Sequence, residues 1–183
     1  MISNKDLKTY NKKYGHSYCL GAYPTIELLK YKPDCAEKIL MRSNIKEDIR
    51  WNVEALCAGA KIPFEVNDRI LDRISGKDSC LVAGVFRKYR EKLLHGKNHV
   101  VLVNPSDSGN IGTIIRSSVG FGIHDLAIVE PAVDVFHPKT VRASMGALFH
   151  MRFCYFQDFE AYIRQYGSER EMYPFMLKGK NQL

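Results

Sequence analysis

The sequence predicts an α/β protein of two units, the second carrying a parallel sheet. Three observations support this. Apolar runs of strand length alternate with stretches of helical periodicity along most of the chain. The run His99 to Val103 (HVVLV) is continuous and β-branched, as in a strand buried on both faces. The charge is also divided, with 19 Lys and Arg against 12 Asp and Glu in residues 1–97 and 8 against 8 in residues 98–183. All of the net charge of +7 therefore lies in the first unit.

Residues 1–16 read as a polar, basic arm, mobile or loosely helical. A small α/β unit over residues 17–90 follows. Pro24 suits a first helical turn and opens a helix through Thr25 to Tyr31. Lys38 to Arg42 (KILMR) has the length and apolarity of a strand. Ile45 to Ala60 is a helix, with Ile49, Val53 and Leu56 on one face and Gly59 near its end. Ile62 to Val66 is a second strand, Asn67 caps a helix over Asp68 to Ile74, and Cys80 to Phe86 is a third strand.

The charged stretch RKYREKLLHGKN (Arg87 to Asn98) includes a linker at 91–98 and has partial helical character. The second unit, 99–183, reads as strand His99–Val103, helix Asn110–Val119, strand Asp125–Val129, helix Pro138–Leu148 and strand Met151–Phe156. A helix Asp158–Tyr166 and a last strand Met172–Leu177 complete it. Strands alternating with helices imply right-handed crossovers and a parallel sheet.

No apolar run reaches the roughly 18 residues of a membrane span, and the start lacks the apolar core of a signal peptide. A cytoplasmic protein is expected. The five cysteines form no C-x-x-C pair, so neither a metal site nor a disulfide framework is suggested, and Cys57 and Cys154 read as small core residues. The basic first half suits an RNA partner, although charge alone fits a solvated face equally well.

The turn Asn104 to Gly109 (NPSDSG) joins a parallel strand to a helix, where open sheets bind ligands. Asn110 is placed to cap that helix, whose free amides and positive dipole end favour an anion. Arg116, leaning toward the amino terminus, can reach back over the loop to a phosphate. The bare residues are equally compatible with a capped helix bearing a surface arginine. No Walker or G-x-G-x-x-G pattern is present. His137, Lys139 and Arg142 cluster downstream, as RNA phosphate contacts, residues of a dimer interface or a solvated helix face. Lys12 and Lys13 alternate with Tyr10, Tyr14 and Tyr18, a mixture suited to phosphates and bases.

The stretch NPSDSGNIGTIIRSSVGFGI resembles the first motif of the SpoU-type RNA 2′-O-ribose methyltransferases, within the SPOUT group. DVFHPKTVRASMGALFHM resembles their second motif, and the likeness covers about residues 18–178. The resemblance implies a SPOUT-type domain with a trefoil knot, preceded by a small RNA-binding domain. It implies methyl transfer from S-adenosylmethionine to a ribose 2′-hydroxyl of rRNA or tRNA, by a homodimer. It puts Asn110 and Arg116 at the target nucleotide, with Gly120 and Gly122 closing the helix and Phe121 beneath it. Leu177, Lys178 and Gly179 fall at the adenosine of the cofactor.

The family's third motif, with a G-x-E-x-x-G-like turn and an S-L-N segment, has no counterpart in these residues. The knot is therefore expected to be incomplete and this chain inactive as it stands, with most of the cofactor pocket lying beyond Leu183. The alternative is a non-catalytic RNA-binding protein that keeps the fold.

Overall fold

Two sheets frame the molecule; the computed structural model describes residues 2–76, 80–168 and 170–175. The first sheet holds β1 (His16–Leu20), β2 (Ala36–Met41), β3 (Phe64–Val66) and β4 (Val82–Arg87), in the order β1-β4-β2-β3. β4 runs antiparallel to β1 and β2, whereas β2 and β3 are parallel. Side chains alternate between two apolar layers, as the strand period requires. Ile39, Met41 and Val82 face Leu29 of α1 (Ala22–Tyr31) and Val53 and Cys57 of α2 (Glu47–Ala60). Leu40, Ala83 and Val85 face Ile70, Leu71 and Ile74 of α3 (Asp68–Ser75).

The second sheet is fully parallel, in the order β5 (His99–Val103), β6 (Asp125–Val129), β7 (Arg152–Phe156). On one face lie α4 (Ser108–Gly120) and α5 (Pro138–Ala143), and on the other α6 (Phe159–Tyr166) with Leu93. The layer under α4 and α5 does not stop at the unit boundary. Ile111, Ile115, Leu126, Ile128, Phe149 and Phe153 share one cluster with Cys19, Leu28 and Phe86 of the first unit. The buried Ser17 hydroxyl donates to the Phe136 carbonyl, and His150 Nε2 donates to Glu27 Oε2 at 2.6 Å across the same junction.

The parallel sheet and its alternation match expectation, and several local expectations need correction. The segment before β1 is docked, because Leu7 is buried among Tyr18, Leu71 and Ile74. Residues 16–20 form an edge strand that the sequence pattern does not predict, paired from His16↔Arg87 to Leu20↔Ala83. α2 ends at Ala60 as expected but begins at Glu47, two residues later than expected. Arg87 to Asn98 contains no helix beyond the end of β4. The helix expected over Pro138–Leu148 stops at Ala143, where Met145 and Gly146 both turn left-handed (φ 52° and 83°). Phe121 is 84% exposed and packs beneath nothing. Met172 to Phe175 is not a strand, and the remainder of that expected element lies outside the described residues. Among the described residues no helix is long and apolar enough to cross a membrane.

At the amino end of the parallel sheet, Asp125 is buried and receives Arg152 Nε at 2.9 Å and Nη2 at 2.6 Å. Leu94 N adds a third bond at 2.9 Å. Burial pushes the carboxyl pKa up, but the Arg152 and Leu94 hydrogen bonds outweigh it and hold it below the usual value. A depressed folded pKa stabilises above the unfolded value, and the stabilisation is lost as pH falls through the folded one. The unfolding free energy should therefore decline on acidification by about 1.4 kcal/mol per unit of depression. Urea titrations from pH 7 downward measure this, and Asp125→Asn should remove that component of the pH dependence.

Candidate functional site

The carboxyl ends of β5, β6 and β7 carry the loops that a ligand would meet. After β5 the chain turns sharply, with Asn104 at φ 50°, a conformation asparagine tolerates better than most residues. Asn104 Nδ2 donates to the Glu130 carbonyl at 2.8 Å, and Val133 N donates to the Pro105 carbonyl at 2.9 Å. These bonds tie the loop after β5 to the loop after β6.

Asp107, not Asn110, caps α4; its Oδ1 accepts from Asn110 N at 2.7 Å. A carboxylate at the first turn already compensates the positive helix end, so an anion cannot be held by the helix terminus alone. Any phosphate must be met by side chains. Both candidates are available: Asn110 and Arg116 are exposed, and neither side chain has a hydrogen-bond or ion-pair partner among the described residues. They are not in contact with each other, since six helical residues separate them by about 9 Å of rise.

The two motifs are joined by the crossing of α4 and α5. Gly112 lies where a Cβ would come 2.4 Å from Ala143 Cβ and 2.8 Å from Ser144 N. Ser144, fully buried, donates through Oγ to the Val141 carbonyl at 2.8 Å and accepts from Leu148 N. Gly146 completes the reversal against Glu27 and Pro24 of α1. The small residues of the second motif therefore fix backbone geometry at this crossing.

The remaining candidates divide between two faces of the junction. His137 accepts from Lys139 N through Nδ1, and its ring meets Tyr10 edge-on at 5.3 Å. Burial, then Lys139, lowers its pKa. Lys139 and Arg142 are exposed, and Arg142 faces the first unit near Cys80, opposing the upward push of burial on that thiol. Of the three tyrosines, Tyr18 is buried with its hydroxyl on the Lys8 carbonyl, and Tyr10 donates to Asp134. Tyr14 stacks on His16 with the rings 12° from parallel. Lys12 and Lys13 are exposed on the turn between them. Leu177, Lys178 and Gly179 lie outside the described residues.

Sequence reasoning missed Lys88 and Asp134. Lys88 Nζ reaches Asp134 Oδ2 at 3.4 Å and the Lys12 carbonyl at 2.8 Å, holding the turn against the loop after β6. No local signal could have found this pair, because the partners lie far apart in the chain.

The profile of the SpoU rRNA Methylase family matches residues 97–182, which is the whole parallel-sheet unit. Over these residues the chain is similar to the SpoU rRNA Methylase family. A 23S rRNA (uridine(2479)-2′-O)-methyltransferase of Streptomyces viridochromogenes is 46% identical over 52 residues, 28% of this chain and 18% of that protein. The mitochondrial rRNA methyltransferase 3 of Mus musculus is 38% identical over 79 residues, 38% of this chain and 19% of that protein. Among solved structures, an AdoMet-bound rRNA methyltransferase from Sinorhizobium meliloti aligns at TM-score 0.66 and 26% identity, over 82% of this chain and 57% of its own. A SpoU methyltransferase from S. viridochromogenes aligns at TM-score 0.70 and 20% identity, over 88% and 63%, and so supports the fold. The chain thus spans a minority of the curated relatives it matches and about 57–63% of these solved structures.

Proposed function

We propose that the protein carrying this SpoU unit is an RNA 2′-O-ribose methyltransferase acting on ribosomal RNA with S-adenosylmethionine, as a cytoplasmic homodimer. The observation behind this reading is an exposed pair, Asn110 and Arg116, with no partner among the described residues, on a helix whose own terminus is already capped. An exposed guanidinium without a partner among the described residues is suited to an external anion.

A guanidinium is a permanent cation and a hydrogen-bond donor, and does not serve as the base for the hydroxyl proton. Arg116 instead holds the phosphate next to the target ribose and stabilises the oxyanion that develops at the 2′-position. Asn110, a helical rise away, addresses the ribose rather than the guanidinium. The cofactor, when bound, supplies an electrophilic methyl group. The residues assigned to its adenosine, Leu177, Lys178 and Gly179, lie outside those described.

The test is tritium transfer from labelled S-adenosylmethionine to a ribosomal RNA transcript, by the complete reading frame that carries this sequence. Label in a linkage resistant to alkaline hydrolysis is the expected result, because methylation removes the 2′-hydroxyl nucleophile. Salt-dependent RNA binding without transfer would support a non-catalytic RNA-binding protein instead.

A further inference from the structure

Beside the α4 mouth a second opening lies between the two units. It is a cleft of about 420 Å³, lined by Lys12 from the first unit and by Glu130, Pro131, Ala132 and Gln157 from the loops after β6 and β7. That volume falls within the roughly 300–1,000 Å³ of small-ligand sites. Its polar side chains are uncommitted: Lys12, Glu130 and Gln157 are exposed and have no side-chain partner among the described residues. Its walls are fixed all the same. The turn bearing Lys12 is closed by Tyr14 N on the Asn11 carbonyl at 3.0 Å and Lys13 N on Asn11 Oδ1 at 2.9 Å. Lys88, whose side chain is only 17% exposed, clamps that turn to Asp134. On the opposite wall Glu130 is anchored through its main chain, its N donating to the Phe156 carbonyl and its carbonyl accepting from Asn104.

The lining is mixed in a way that narrows the ligand. A lone ammonium suits a phosphate, and the Pro131–Ala132 floor offers an apolar surface to a flat ring. A carboxylate beside them repels phosphate and must meet N–H donors. Among the bases, guanine presents two adjacent donors on its Watson–Crick edge, which a carboxylate can accept together. Asn104 ties the loop that leads into α4 to the loop bearing Glu130.

We infer that this cleft is a nucleotide subsite for single-stranded RNA, taking a guanosine that neighbours the methylated ribose, with Lys12 on its phosphate and Glu130 on its base. Gln157 contributes an amide to the same base edge. The subsite rests on the RNA-directed reading above. Lys88 is a positioning residue: its Nζ bonds the Lys12 carbonyl and Asp134 and lies over the Tyr10 ring, without using the Lys12 side chain, so replacing that side chain leaves the turn intact.

Fluorescence anisotropy with labelled UUGUU and UUAUU pentamers and the full chain tests the assignment. The wild type should bind UUGUU more tightly. Lys12→Ala should weaken both pentamers by roughly 3- to 10-fold and lower the log–log salt slope by about 0.7, the share of one phosphate contact on a single strand. Glu130→Ala should abolish the preference between pentamers, and Lys46→Ala, the same charge change at the start of α2, should leave both affinities unchanged. Unaltered affinity in Lys12→Ala overturns the subsite. An equal loss in Lys46→Ala, or a guanosine preference that is absent or survives Glu130→Ala, overturns it as well. If the protein binds neither the pentamers nor a ribosomal RNA transcript, the RNA-directed reading falls and the subsite with it. Wild-type RNA binding with an inert Lys12→Ala removes the subsite alone.

Discussion

Replacing Arg116 by alanine is expected to lower methyl transfer by roughly 10²- to 10³-fold while leaving the fold unchanged, the loss typical of removing one oxyanion-stabilising group. The fold should be indifferent because the guanidinium is exposed and bonds to nothing among the described residues. Surface substitutions of that kind change stability by no more than about 0.5 kcal/mol. Arg116→Lys should recover only part of the rate, since an ammonium keeps the charge but not the two-pronged geometry. Initial rates of tritium transfer by the complete reading frame that carries this sequence, with urea midpoints measured on the same preparations, separate the two effects. A rate within twofold of wild type in Arg116→Ala would remove this residue from the reaction.

The second large effect concerns backbone spacing. Gly112→Val should cost more than about 3 kcal/mol and yield little folded protein, at or beyond the upper end of overpacking penalties. The first added carbon alone would sit 2.4 Å from Ala143 Cβ and 2.8 Å from Ser144 N, so a helix, not a flexible side chain, must yield. A matched control has the opposite sign. Gly59 lies within α2, and a methyl group added there would meet nothing inside 4 Å, so Gly59→Ala should stabilise by about 0.5–1 kcal/mol. Urea midpoints and helical circular dichroism report both, and a Gly112→Val protein as stable as wild type would contradict the crossing geometry.

Where the chain's pattern is local, the sequence is readable. β5 and β6 have the bounds expected of apolar runs, and Asn67 and Asp158 cap α3 and α6 through bonds to Ile70 N and Ala161 N. The misreadings arise where distant groups decide. HSYCL at 16–20 becomes a strand because β4 supplies its partner and α5 its cover, neither of which is encoded nearby. The reversal at Met145–Gly146 ends α5 early because α1 occupies the path of another turn, with Glu27 Cβ 2.7 Å from the position of a Gly146 Cβ. At the candidate site, Asn110 and Arg116 were legible from a motif. The cap at Asp107 and the Lys88–Asp134 clamp were not, the first because Asp and Asn cap equally well. The second joins residues 46 positions apart.

A single apolar cluster running from Cys19, Leu28 and Phe86 into Ile111, Phe149 and Phe153 leaves no hinge between the sheets. Two domains on a tether would sample RNA independently and gain avidity from proximity. On the proposed reading, Lys12 and Arg116 sit on units that share one apolar cluster, so the RNA strand would have to present its phosphates at a set interval to meet both. Substrate choice then becomes a matter of length along the strand as well as of sequence, and the two sheets should melt together in one transition.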